Sequence, residues 1–351
     1  MVLGATLFSG CLFDRADRDG SGEGGETGNV TDGDYVPVKP VSPAGWPSIV
    51  WPKENPYTPA KDVLGRRLFF EPALSRTQNR ACSWCHGALE AFADVHGDSM
   101  SFGVGSGTTT RNTPTLANLA FARTFFFDGR ASTLEAQAFG PLYAANEMDM
   151  TGPEIVARLS ADTTYIRLFA QAYGSGPITM ERVTRALATY ERTLISFRSP
   201  YDLWRAGDSA ALSPSAKRGE ALFRSAKAGC AECHVPPLFT DGGFHNIGLD
   251  SVPVDPGLGG ITGRPEDMGR FKTPTLRNLT ATKFYMHDAR FRSLQRVLEH
   301  YNAGGFPQPP GAPSIRPLGL TSGEQDDLIS FLEALTDTAF LQTAEYHFPN
   351  R

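Results

Sequence analysis

Four of the five cysteines in this 351-residue chain fall into two groups of one pattern: Cys82-Ser83-Trp84-Cys85-His86 and Cys230-Ala231-Glu232-Cys233-His234. Two thiols three residues apart lie on one side of a helical turn, where they can add to the two vinyl groups of a porphyrin. The histidine that follows then projects an imidazole under the metal. The groups therefore read as two attachment sites for covalent haem c, with thioethers at Cys82, Cys85, Cys230 and Cys233 and iron ligands at His86 and His234. A four-cysteine zinc site has acceptable spacing, but it leaves both histidines as coincidence. A redox-active dithiol needs one pair and no histidine. Only Cys11 remains for any other use, so no structural disulfide is expected.

The elements that must position these groups are mostly helical. Pro153 opens a run with Ile155, Val156 and Leu159, followed by Ile166, Leu168 and Phe169. Residues 180–197 lack Pro and Gly and carry Val183, Leu187, Tyr190 and Leu194 at helical spacing. Ser213-Pro214 supplies an N-cap and first-turn proline for a helix that feeds Cys230. Thr321 and Glu324 form a capping box before a last helix through Leu335. Strand-like alternation is scarce, and the connectors 235–263 and 304–319 are long and rich in Gly and Pro.

A repeat runs through the chain. Thr113-Pro114-Thr115-Leu116-Ala117-Asn118 returns as Thr273-Pro274-Thr275-Leu276-Arg277-Asn278. Asp128 and Asp288 stand ten residues after the two asparagines, with Arg130 and Arg290 two further on and Leu134 and Leu294 opening a helix in each copy. Each block follows its own Cys-x-x-Cys-His. The fold class expected is mainly α, with two cytochrome c-like haem domains related by internal duplication, long loops and little β.

The apolar fraction of 40%, charged fraction of 20% and net charge of −5 are those of a globular protein and argue against nucleic acid as a partner. Residues 1–11 are apolar and small up to Cys11, like the end of a signal peptide whose cysteine becomes a lipid anchor. Residues 12–45 read as a disordered tether, residues 46–205 as a first haem domain and 206–351 as a second.

With these motifs on the page, the chain resembles the bacterial di-haem cytochrome c peroxidase and MauG superfamily from about Leu64 to Tyr346. The resemblance rests on both haem motifs, Arg111-Asn112-Thr113-Pro114-Thr115-Leu116, Phe127-Asp128-Gly129-Arg130, Leu134-Glu135-Ala136-Gln137-Ala138, Glu147-Met148, Tyr285-Met286-His287-Asp288 and His300-Tyr301-Asn302. It implies a peroxide-reacting N-terminal haem and a C-terminal haem that relays electrons. Glu147 matches the family's distal carboxylate, which shuttles a proton between the peroxide oxygens, and Gln137 matches a second distal polar residue. The resemblance also implies a calcium ion between the domains, with Asn112 in the side-chain role and Thr273 and Thr275 in the matching backbone turn.

Three positions depart from the peroxidase pattern. Ser101-Phe102-Gly103-Val104-Gly105 has valine where typical members place a removable distal histidine, which implies an open first iron; His96 lies nearby. Tyr301 falls at the far ligand of the second haem, methionine in the peroxidases and tyrosine in MauG, with Met268, Met286, His287 and His300 as rivals. Phe127 replaces a tryptophan between the haems, leaving direct tunnelling or a path through Trp84 or Tyr285.

The function expected is reduction of hydrogen peroxide to water, with electrons from a small periplasmic cytochrome c or cupredoxin. The alternative is a MauG-like enzyme that uses peroxide and high-valent haem iron to oxidise Trp or Tyr of a partner protein. A plain di-haem electron carrier is a third reading, disfavoured by Glu147 and the open iron. The expected location is the periplasm, with a lipid anchor at Cys11, and assembly as a homodimer is left open.

Overall fold

The computed structural model describes residues 35–94, 100–105, 107–307, 315–343 and 346. The expectations for residues 1–11, for the lipid anchor at Cys11, for most of the tether and for His96 lie outside them. Within the stretch expected to be a tether, Tyr35 is buried and its hydroxyl donates to Asp62 at 2.8 Å. An aromatic ring with a buried partner thus packs earlier than composition suggested.

Among the described residues the fold is helical with little sheet. The helices are α1 (Pro59–Phe69), α2 (Cys82–Cys85), α3 (Leu134–Tyr143), α4 (Gly152–Ser160), α5 (Thr163–Tyr173), α6 (Met180–Glu191), α7 (Pro200–Arg205), α8 (Pro214–Arg224), α9 (Gly259–Thr262), α10 (Leu294–Ala303), α11 (Ser322–Glu333) and α12 (Thr338–Leu341). Two short strands, β1 (Phe244–His245) and β2 (Phe271–Lys272), pair antiparallel. None of these helices is long and apolar enough to cross a membrane.

Local chemistry sets most of the helix starts. Thr58, Thr151, Thr179, Ser213, Ser293 and Thr321 each accept a backbone N–H of the first turn, and Thr151–Glu154 and Thr321–Glu324 close full capping boxes. The predicted run to Phe197 stops at Glu191, because tertiary partners capture the chain beyond. The Asn118 N–H donates to the Leu194 carbonyl at 2.8 Å, the Ser196 N–H donates to Asn118 Oδ1 at 3.0 Å, and Asp337 accepts the N–H groups of Phe197 and Arg198.

Two helix crossings organise the core. α1 packs on α6, and α8 on α11. At each crossing a glycine meets backbone: Gly65 lies against the Ala186 carbonyl and Tyr190, and Gly219 against the Asp327 carbonyl and Phe331. Val63, Leu64, Leu68, Phe69, Leu187 and Tyr190 are buried around the first crossing. Around the second, Tyr201, Phe223, Phe239 and Phe331 pack with centroids 5.1 to 6.0 Å apart, in the tilted and edge-on arrangements that ring quadrupoles favour. Asn118 and Asn278 both adopt left-handed backbone, at φ 65° and 58°, and each precedes a short 3-10 turn.

Candidate functional site

The first cysteine pair occupies the single turn α2, and His86 follows with its N–H donating to the Cys82 carbonyl at 3.0 Å. His86 Nδ1 lies 2.7 Å from the Phe92 carbonyl oxygen. A carbonyl can only accept, so Nδ1 carries the proton and Nε2 keeps a free lone pair, the arrangement that orients a metal-binding imidazole. Burial holds this imidazole below the ordinary histidine range, in its neutral form. Neither cysteine is in a disulfide, and both side chains are half-buried.

Cys82, Cys85 and His86 open into a cavity, continuous with solvent, whose empty space of about 690 Å³ includes that opening and which is lined by Phe69, Phe102, Leu116, Leu142, Leu187 and Glu191 among others. Gln137 on α3 and Glu147 in the turn after it line the same cavity. A large, mainly apolar hollow with two thiols and an oriented imidazole at its wall fits a thioether-linked porphyrin. The four cysteines do not converge. Among the described residues one group of three or more metal-ligating side chains lies within 4.8 Å, Cys233 with Asp241 and His245. The four-cysteine zinc alternative therefore has no site.

Glu147 is held from behind. Its carbonyl accepts the Val104 N–H at 2.8 Å, and Gly103 lies so close to the Asn146–Glu147 backbone that any β-carbon there would collide. Burial raises the Glu147 carboxyl above its usual range, against the opposing pull of Arg130. Val104 is itself buried in this loop.

The second motif begins as a 3-10 turn, Cys230–Glu232, entered from α8 through Gly229 at φ 63°. His234 repeats the geometry of His86: Nδ1 donates to the Phe239 carbonyl at 3.0 Å, and burial keeps the ring neutral. Tyr301 on α10 is half-buried, and desolvation followed by the neighbouring Cys230 and Cys233 raises its hydroxyl well above the usual range. Three of its four rivals are engaged elsewhere or exposed. His300 Nε2 donates to the Ile247 carbonyl at 2.9 Å, His287 stacks on Phe271 at 3.6 Å, and Met268 is 40% exposed.

Between the motifs, Phe127 is half-buried and its carbonyl accepts the Lys272 N–H at 2.8 Å. The Lys272 ammonium donates to the Thr124 carbonyl at 2.7 Å, and burial lowers it to about 8. Trp84 lines the first cavity and is partly exposed under Arg80, whereas Tyr285 packs against the second core.

The calcium expectation is rearranged. Asn112 reaches the carbonyls of Phe284 and Met286, at 3.2 and 3.3 Å. Thr273 and Thr275 are occupied elsewhere: the Thr273 carbonyl accepts from Thr240, and the Thr275 hydroxyl donates to the Leu238 carbonyl. The repeat hexapeptide thus supports the second haem loop, and the turn that meets Asn112 comes some ten residues later.

Sequence reasoning missed Glu191. It is buried, lines the cavity, and its Oε2 has no hydrogen-bond partner. The available signal was its place four residues after Leu187, on the apolar face of α6.

Residues 59–210 match the di-haem cytochrome c peroxidase family. The chain is 44% identical over 291 residues to the methylamine utilization protein MauG of Methylorubrum extorquens, covering 82% of this chain and 81% of that one. It is 34% identical over 341 residues to cytochrome-c peroxidase IdrP1 of Denitromonas iodatirespirans, covering 88% of each. A crystal structure of a MauG-like protein associated with microbial copper homeostasis superposes with a TM-score of 0.80 at 34% identity, covering 88% of this chain and 98% of that one. The chain therefore belongs to the di-haem cytochrome c peroxidase and MauG family, as an oxidoreductase with two c-type haems.

Proposed function

We propose that this protein reduces hydrogen peroxide to water at the haem held by Cys82, Cys85 and His86, with electrons entering through the haem held by Cys230, Cys233 and His234. The observation that carries the reading is one cavity lined by the oriented His86 imidazole and by Glu147, a carboxyl that burial biases toward its protonated form. When bound, the porphyrin supplies the site where peroxide binds and receives electrons. Glu147 takes the proton from the inner peroxide oxygen and returns it to the outer one, which leaves as water. Gln137 orients the peroxide by hydrogen bonding. Two electrons and two protons convert one peroxide to two waters.

Val104 in the place of a histidine supports a first iron that needs no reductive activation, and the position of Tyr301 beside Cys230 and Cys233 supports a tyrosine ligand on the second, which would have to displace the proton that desolvation holds on the hydroxyl. These two features, with the identity to MauG, favour a second reading in which peroxide oxidises a tryptophan or tyrosine of a partner protein. Peroxide consumption driven by a reduced small cytochrome or cupredoxin supports the first reading. Peroxide-dependent mass changes in a partner protein, with no turnover of the donor, support the second.

The matched crossings at Gly65 and Gly219 and the matched turns at Asn118 and Asn278 support two duplicated haem halves, residues 46–205 and 206–351. A calcium ion between them suits Asn112 Oδ1 with the Phe284 and Met286 carbonyls, after the amide turns its oxygen inward. A periplasmic location accords with covalent haem and with the family.

A further inference from the structure

The two helix crossings share one register and differ at one chemical position. Ala186 and Tyr190 on α6 meet Gly65 as Asp327 and Phe331 on α11 meet Gly219. One step along each helix, Leu187 and Leu328 are both buried. Four steps further the second helix carries Leu332, at 6% exposure, and the first carries Glu191, at 5%. A hydrocarbon serves this position on one crossing, so packing alone does not require an acid on the other.

Glu191 faces the first haem cavity with Oε2 unpartnered. The adjacent Arg192 does not neutralise it, because the guanidinium is committed to Glu135 on α3 in two bonds of 2.6 and 2.8 Å. The titratable groups around Glu191 are Tyr190 on its own helix, Arg192 at that helix's C-cap, Glu135 on α3 and Cys82 on α2. From α1, Asp62 and Arg66 act on Tyr190. Burial, opposed by Arg192 and helped by Glu135, raises the carboxyl to about 8, close enough to neutrality for a nearby change of charge to add or remove its proton. A neutral acid beside a redox centre loses its proton more readily when that centre gains positive charge.

We propose that Glu191 is a redox-linked proton site of the first haem, absent from the second. Glu191 takes a proton from solvent when the adjacent iron gains an electron from the second haem. It gives up that proton when the electron passes on to peroxide, so proton and electron arrive together. Leu332 gives the electron-relay haem no such group. The inference rests on a porphyrin occupying the cavity at Cys82, Cys85 and His86.

The test is a spectroelectrochemical titration of the intact di-haem protein from about pH 6 to about pH 9, with the two haems followed separately. The first-haem potential is expected to fall with pH, approaching about 59 mV per unit, the value of a tenfold change for one electron. Glu191→Gln and Glu191→Leu are expected to flatten that slope while leaving the pH dependence of the second haem as in the wild type. Reduced-minus-oxidised infrared spectra of the wild type are expected to show a protonated carboxyl band that Glu191→Gln removes, a reading that needs no activity. A flat wild-type slope, a slope undiminished in Glu191→Gln, or no carboxyl band would overturn the proposal. Mass spectrometry of the same sample separates the causes. Haem on the Cys82–Cys85 peptide with a flat slope sinks this inference alone, and no haem there sinks the underlying reading too.

Discussion

In the proposed function Glu147 carries the proton chemistry, so its removal should be felt in rate and not in fold. Glu147→Gln is expected to lower kcat by at least about 10²-fold with the haem absorption unchanged, measured by steady-state peroxide consumption. Because burial favours the protonated carboxyl, its ionised form accumulates only above the usual carboxylate range. The ascending limb of the wild-type pH profile should lie correspondingly high and vanish in the glutamine variant. At this scale the sequence was most legible where covalent chemistry forces residues together, as in Cys-x-x-Cys-His. It was least legible where a backbone atom does the work. The Phe284 and Met286 carbonyls that meet Asn112 carry no side-chain signature, so the expectation settled on Thr273 and Thr275. Glu191 was hidden for another reason: a lone acid in a helix reads as solvated unless its phase against Leu187 is followed.

At the scale of the element, the glycines of the two crossings give a test with opposite expectations. Helix propensity alone makes Gly→Ala favourable by about 1 kcal/mol. A β-carbon at Gly65 or Gly219 collides with a facing carbonyl, and overpacking of this kind typically costs about 1–3 kcal/mol. Gly65→Ala and Gly219→Ala should therefore lower denaturant midpoints, and a raised midpoint would contradict the packing described. α1 also carries Asp62, which accepts from Tyr35 and Tyr57 and which burial raises from 3.8 to about 7. A carboxyl with a raised folded-state pKa favours folding below its unfolded value and loses that contribution as pH rises toward the folded one. Between about pH 4 and 7 the wild type should lose about 1.4 kcal/mol per unit relative to Asp62→Asn, about 4 kcal/mol in all. Denaturant unfolding of both proteins across that range checks it, and parallel curves would contradict it. Helix starts were legible because Thr, Ser and Glu caps are local. The end of α6 was not, because Asn118 and Asp337 come from distant turns.

Across the whole molecule, the mainly helical character and the presence of two haem-attachment motifs were legible from spacing, while the seam between the two proposed halves was not. That seam is made by Arg111, which pairs with Asp255 through two bonds and with Asp128, by Asn112, and by the half-buried Lys272. If a calcium ion sits at Asn112, chelation should lower the thermal midpoint and slow electron transfer between the haems, and Asn112→Ala should reproduce both; a midpoint indifferent to chelator would remove the ion from the account.

The proposed function requires one haem open to peroxide and the other closed by Tyr301. Electron paramagnetic resonance of the oxidised protein, before and after one equivalent of peroxide, tests it most directly. The expected spectrum has one high-spin and one low-spin ferric signal, the high-spin signal disappearing with peroxide and Tyr301→Phe altering only the low-spin one. Two low-spin signals that peroxide leaves untouched would contradict it.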